Sequence, residues 1–210
     1  MARSASSIRY GKNVFINCPF DDEYLPIFRA VVFTVAACGY RPRCTLEHEA
    51  ASQVRITKIF RLIEDSALSI HDVCRTELDA GNQLPRFNMP LELGAFLGAK
   101  HFGNTRHRNK RCLILDRERY RYQKFISDIG GQDIRSHEGK SDGAIRAVRD
   151  WLRRDVKGVL LPGGAHLCTA YDRFTSELPR LCAAVKLDTA QLTFTDFSDL
   201  LEKWLLSTWQ

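Results

Sequence analysis

Three polar residues stand where apolar stretches of the chain meet polar ones, and their types suit the handling of a sugar or a base. Asn17 closes NVFIN, Asp72 closes LSIHD, and Glu92 lies in LPRFNMPLELGAFLGAK among the small residues Gly94, Ala95, Gly98 and Ala99, which let a helix pack closely. A carboxylate at a crevice accepts a hydrogen bond from a ribose hydroxyl, or opposes the positive charge that develops at an anomeric carbon as an N-glycosidic bond breaks. Glu92 also admits a plainer reading, since a helix start favours a carboxylate by about 0.3–1 kcal/mol. Against that reading, Asn88 with Pro90 already supplies a good helix start, placing Glu92 in the first turn as an extra charge. Its neighbours at plus three and plus four, Ala95 and Phe96, are those of a half-buried face.

Other groups gather around these three. Phe20, Asp21, Asp22 and Tyr24 follow the first apolar run in CPFDDEY and offer an aromatic for stacking on a base and carboxylates for hydroxyls. His71 adjoins Asp72, but neighbours in a strand point to opposite faces, so one of the two faces any crevice, and Asp72 is the better candidate. Cys18 lacks a histidine partner nearby in sequence and reads as a buried thiol. Arg117, Arg119 and Arg121 are of a type that meets phosphates, though a solvated helix face is the favoured reading. His101 and His107 fall in a basic loop and are expected to be exposed. Glycine-rich phosphate loops of the Walker or dinucleotide type are absent.

The elements that must hold these residues alternate regularly. Short apolar runs over Val14–Ile16, RPRCTLE, ALSIHDV, RCLILD and QDIRSH read as strands. They are separated by helical patterns in YLPIFRAVVFTVAACGY, QVRITKIFRLIEDS, the Glu92 segment and YRYQKFISDIG, with DGAIRAVRDWLRR after the last. Five β-α units predict a doubly wound, parallel, five-stranded α/β sheet of flavodoxin-like architecture. Ligands of such sheets bind beyond the carboxyl ends of the strands, where strand order reverses. The alternation fails after Val159, so residues 13–157 are expected to form the α/β domain. Residues 158–210 are expected to form a helical extension, ending in the amphipathic TDFSDLLEKWLLSTW, that packs on the sheet domain or on a second copy.

Composition narrows the class. A chain of 210 residues suits one domain with an appended subdomain. Hydrophobic residues at 44% and charged residues at 27% exclude a disordered or fibrous chain. The net charge of +6, concentrated in RHRNKR and WLRRDVK, favours an anionic partner only weakly, and nucleic acid is not expected. The seven cysteines lie mostly in apolar runs without metal-ligand spacing, so no metal is expected and the thiols read as reduced. No run reaches the length of a membrane span or a signal peptide, and a cytoplasmic protein is expected.

VFINCPFDDEY, then SIHD, then NMPLELGAFLGAK resemble, in order and spacing, the TIR-like and nucleoside 2-deoxyribosyltransferase-like superfamily over roughly Asn13 to Asp116. That resemblance implies a flavodoxin-like sheet with Glu92 at the position of the catalytic glutamate and Asp72 at that of the strand-ending aspartate. It further implies cleavage at the anomeric carbon of a nucleoside, a nucleotide or NAD, the nucleotide being substrate and no cofactor being needed. Bacterial members commonly act in antiviral defence, and many assemble as homo-oligomers. Asn17, Phe20, Asp21, Asp22, Tyr24, His71 and Asn88 would then lie about the substrate. The chain departs from the pattern in having CPF after its first strand, where Ser or Gly is frequent, and in the long Cys74–Phe87 segment. A non-catalytic TIR-like sensor that binds a nucleotide and acts through assembly is the alternative from another class.

Overall fold

The computed structural model describes residues 5–47, 54–78, 83–155 and 160–208 of the chain. The 157/158 boundary expected from sequence and the middle of the Cys74–Phe87 segment lie outside them. A helix not foreseen, α1 (Ala5–Lys12), leads into β1 (Asn13–Asn17), α2 (Leu25–Ala37), β2 (Arg41–Arg43), α3 (Arg55–Asp65) and β3 (Leu68–Asp72). Then follow α4 (Asn88–Phe102), α5 (Thr105–Arg108), β4 (Arg111–Asp116), β5 (Asp133–Ser136), α6 (Ser141–Leu152), α7 (Gly164–Ala184) and α8 (Phe194–Thr208). The five strands form one parallel sheet in the order β2-β1-β3-β4-β5, a doubly wound flavodoxin-like fold. Strand order reverses between β1 and β3, so the crevice that such a sheet offers to ligands opens beyond Asn17 and Asp72.

Side-chain alternation distributes the core to both faces. Val14, Ile16, Leu68 and Ile70 face α2, α6, α7 and α8, while Phe15 and Cys112 face α3 and α4. Helix α2 is buried nearly all round, because α7 and α8 form a further layer over it: Phe33 packs on Tyr171, Phe174 and Trp204. This explains why its sequence is almost uniformly apolar rather than striped. Much of the apolar surface of α7 and α8 is thus used within the chain, though Leu206 remains exposed. Helix α7 continues through Pro179, forgoing one backbone hydrogen bond.

Two expectations fail for tertiary reasons. The helix read over YRYQKFISDIG is a pair of single 3₁₀ turns, Arg121–Lys124 and Ser127–Ile129. Tyr120 takes a left-handed backbone, φ 61°, and turns Arg121 inward to donate to the Cys74 carbonyl at 2.6 Å and to Thr76 Oγ1. The basic loop expected around His101 and His107 is instead the end of α4 followed by α5.

One residue of the basic cluster belongs to the core. Lys110 is 1% exposed, and its ammonium donates to the carbonyls of Ile63 and Ser66 at the end of α3 while facing the rings of Tyr10 and Phe96. Burial lowers its pKa to about 8, so it still carries its proton at neutral pH and caps the carbonyls at this helix end. Lys110→Met should cost about 2 kcal/mol in urea unfolding at pH 7, because charge-assisted hydrogen bonds are lost from a buried site. An unchanged midpoint would show the ammonium to be dispensable.

Candidate functional site

At the switch point, Asn17 and His71 are paired residues on adjacent strands and both are buried. The Asn17 amide donates one hydrogen to His71 Nδ1 at 3.0 Å and the other to the Met89 carbonyl at 3.0 Å. With Nδ1 accepting, the ring proton lies on Nε2. Burial between Phe15 and Phe96 holds the imidazole neutral, its pKa lowered to about 3. These two residues, expected from sequence beside a substrate, tie the first turn of α4 to the sheet. Through Met89 they set the position of Glu92, one turn further on.

Helix α4 begins with Phe87 as its cap residue, in helical conformation and without a side-chain cap. Asn88 is therefore the exposed first residue of the helix rather than its cap, and Glu92 belongs to the second turn, not the first. There the electrostatic gain from the helix start has faded. The small residues in α4 leave Gly94 and Gly98 open on the outer side, while Met89, Leu93 and Phe96 pack inward.

Glu92 is 3% exposed, and among the described residues its carboxyl meets no hydrogen-bond donor and no cation at ion-pair distance. Burial raises its pKa to about 7, opposed only by the more distant charge of Arg55. A buried carboxyl ordinarily has partners, because leaving it bare costs free energy that pairing would recover. Perturbed, unpartnered carboxyls at a crevice are the groups enzymes use as bases, nucleophiles or charge stabilisers.

Asp72 projects to the other face of the sheet from His71, as strand alternation requires, and is fully buried. Tyr24 donates its hydroxyl to Oδ2 at 2.6 Å and the Cys74 backbone N–H donates to Oδ1 at 2.8 Å. His137 Nε2 approaches Oδ2 to 3.1 Å, an ion-pair distance but out of line for a good hydrogen bond. His137 Nδ1 accepts the Gly139 N–H at 3.0 Å, which places the ring proton on Nε2, toward Asp72. Burial and the Asp72 charge together raise the Tyr24 pKa well above the phenolic range. Asp72 thus binds together the first loop, the start of the Cys74 segment and the β5–α6 turn. Beside it, burial pushes the Asp116 carboxyl up to about 6 despite Arg121 at 3.5 Å.

Asp72, Cys74 and His137 bring an oxygen, a sulfur and a nitrogen within 4.8 Å of one another, a donor set that sequence spacing did not reveal and that suits a divalent metal such as zinc. Their bonding spends those donors otherwise. Nε2 carries the ring proton while Nδ1 accepts from backbone, and both Asp72 oxygens are engaged. The arrangement is a hydrogen-bonded cluster, not a preformed ligand set. Tyr24→Phe, which removes one charge-assisted bond, should cost about 2 kcal/mol by chemical denaturation without shifting the thiol count toward reagents. A loss below a few tenths of a kcal/mol would show Asp72 to be held by its other partners.

The first loop is tied down at its flank. Asp21 accepts from Arg75 at 3.0 Å and lies 3.4 Å from Arg86, while Glu23 meets Arg75 at 2.7 Å. These bonds hold the Asp21 carboxyl below its usual range, though burial alone would raise it. Asp22 is exposed, and Phe20 is half-buried edge-on against Phe28, so its ring serves the core as much as any ligand. The Cys18 thiol is buried, its pKa raised by burial and then by Asp72, with Glu92 a smaller contributor, as suits an inert thiol flanked by both carboxylates. His137 is the residue that sequence reading missed. The signal available was the turn after QDIRSH, where Gly139 takes φ 68°.

No protein-family model matches the chain, and no curated protein matches it in sequence. No helix among the described residues is long and apolar enough to cross a membrane. The fold is compatible with a nucleotide-binding enzyme scaffold of the flavodoxin or Rossmann type, and the chemistry must be argued from the site.

Proposed function

We propose that the protein is a nucleotide N-glycosidase that cleaves the ribose–base bond, with NAD as the leading substrate and hydrolysis or internal cyclisation as the fate of the ribosyl group. The observation that carries this reading is the bare, buried Glu92 carboxyl at the switch-point end of the sheet. The motif resemblance supports it by putting Glu92 at the position of the family's catalytic glutamate.

In NAD the C1′–N1 bond breaks with both electrons passing to the nicotinamide nitrogen, so the base leaves neutral and positive charge moves to the ribose ring. Ionised Glu92 opposes that charge or bonds covalently to C1′. Water then adds at C1′ and gives up a proton, or a ring nitrogen of the adenine takes its place and the product is cyclic. The chain's own residues hold the carboxyl in place. Asn17 and His71 fix the helix that bears it, and the carboxyl meets no protein donor among the described residues, so above about pH 7 its charge is available to the substrate. Asp72, whose oxygens are engaged by Tyr24 and Cys74, acts by shaping the crevice wall, with Asn88 and the Phe20–Tyr24 loop at its rim.

The sensor alternative rests on the apolar faces of the C-terminal helices, but Phe174 and Trp204 pack on Phe33 and Phe197 packs on Phe174, so much of that apolar surface is used within the chain, with Leu206 left exposed. Chromatography of products after incubation with NAD, NADP, nucleosides and nucleoside monophosphates tests the proposal. Wild type should release free base from at least one of them, and Glu92→Gln, equally folded, should release none. Absence of base release at every protein concentration would move the reading to the sensor.

A further inference from the structure

A concavity lined by basic residues lies at the other end of α4. Lys100 and His101 in its last turn, Arg108 on α5, Gln132 just before β5 and Leu97 line a pocket of about 430 Å³ at the amino-terminal edge of the sheet. From Glu92 to Lys100 is eight residues of helix, about 12 Å, so the two sites are separate.

The pocket holds cations and no acid. Among the described residues neither Lys100 nor Arg108 meets a carboxylate at ion-pair distance. Arg108 donates Nε to the Gly103 carbonyl at 3.2 Å, which fixes the guanidinium and leaves its two terminal nitrogens as donors. Gln132 Oε1 receives the Cys112 thiol at 3.9 Å, leaving the amide NH₂ as a further donor. The His101 ring is steadied edge-on against Phe102. Complementing the negative end of the α4 dipole accounts for about half a charge, and the Gly103 carbonyl is already met by Arg108. Two full charges, with Gln132 and His101 as further polar groups, lining one concavity from three chain segments exceed that need. They match a phosphate group, which takes two charges and several donors. A pocket of this size fits a small molecule better than the open, extended surface that a nucleic-acid strand requires.

We propose that this pocket binds the phosphate group of a small phosphorylated molecule, at a site distinct from the Glu92 crevice and independent of the reaction assigned there. Calorimetric titration of the full chain with inorganic pyrophosphate, and in parallel with an oligonucleotide, tests it. Pyrophosphate should bind at one site per chain, and K100Q/R108Q should weaken it by at least about tenfold. R180Q/K186Q, which removes the same charge from exposed positions at the end of α7, should leave it unchanged. Circular dichroism checks that each variant is folded, and the single substitution Lys100→Gln should give an intermediate loss. The proposal fails if wild type shows no binding at millimolar pyrophosphate, or if both double variants weaken it equally, the mark of a diffuse field. It also fails if only the oligonucleotide binds, with affinity collapsing as salt rises and no response to the pocket variants.

Discussion

At pH 8, Glu92→Gln is expected to be more stable than wild type by about 3 kcal/mol, a difference that follows from a carboxyl pKa near 7 in the folded chain against 4.5 unfolded. Between those values the folded state holds a proton that the unfolded state has released, so wild-type stability falls as pH rises from about 4.5 to about 7. The loss is complete above that window and absent below it. The substituted glutamine keeps the shape of the protonated acid and cannot ionise, so the two proteins should unfold at the same urea concentration near pH 4 and diverge upward. Urea unfolding at several pH values reads this directly. A residue held only for helix capping gives the opposite sign, with wild type the more stable at pH 8. Retaining a destabilising carboxyl is intelligible where its charge is used on a substrate, since strained or bare groups persist at sites of function.

The second large effect is on turnover. Glu92→Gln should lower base release by about a thousandfold or more, the range for removing a group that meets charge in the transition state. In wild type, kcat/KM should rise by about tenfold per pH unit below about 7 and level off above, because the ionised carboxylate is the active form. A profile that falls through the same region would assign Glu92 the role of general acid instead. A variant of undiminished rate would remove it from the reaction altogether. The two predictions are linked, since one ionisation governs both: the substitution that stabilises the fold above pH 7 is the one that abolishes chemistry there.

Much of this is legible in the residues. Alternating apolar runs and helical stripes point to the parallel sheet, because strands covered on both faces must be apolar throughout and their crossovers must be helical. The opposite facing of His71 and Asp72 follows from the two-residue period alone. Glu92 stands out through its small and apolar neighbours, but its want of a partner is a property of packing that no local pattern records. Asn17 and His71 read as ligand contacts because they lie at strand ends. In the structure the two N–H hydrogens of the Asn17 amide go to His71 and the Met89 carbonyl. His137 is separated from Asp72 by most of the sheet in sequence and meets it only because β5 lies beyond β4. Lys110 is hidden inside a basic cluster whose other members look alike in sequence. Tyr120–Gly130 carries a helical pattern that Arg121, drawn inward by Cys74 and Thr76, overrides.

The most direct test of the role given to Glu92 needs no knowledge of the substrate. Carbon-detected NMR titration of protein labelled at its glutamate carboxyls, with Glu92→Gln for assignment, measures the Glu92 ionisation itself. One glutamate resonance should titrate near pH 7 and be missing from the variant. A spectrum in which the Glu92 resonance moves near pH 4.5 with the others would mean that the carboxyl is solvated or paired in solution, and would contradict the role proposed for it.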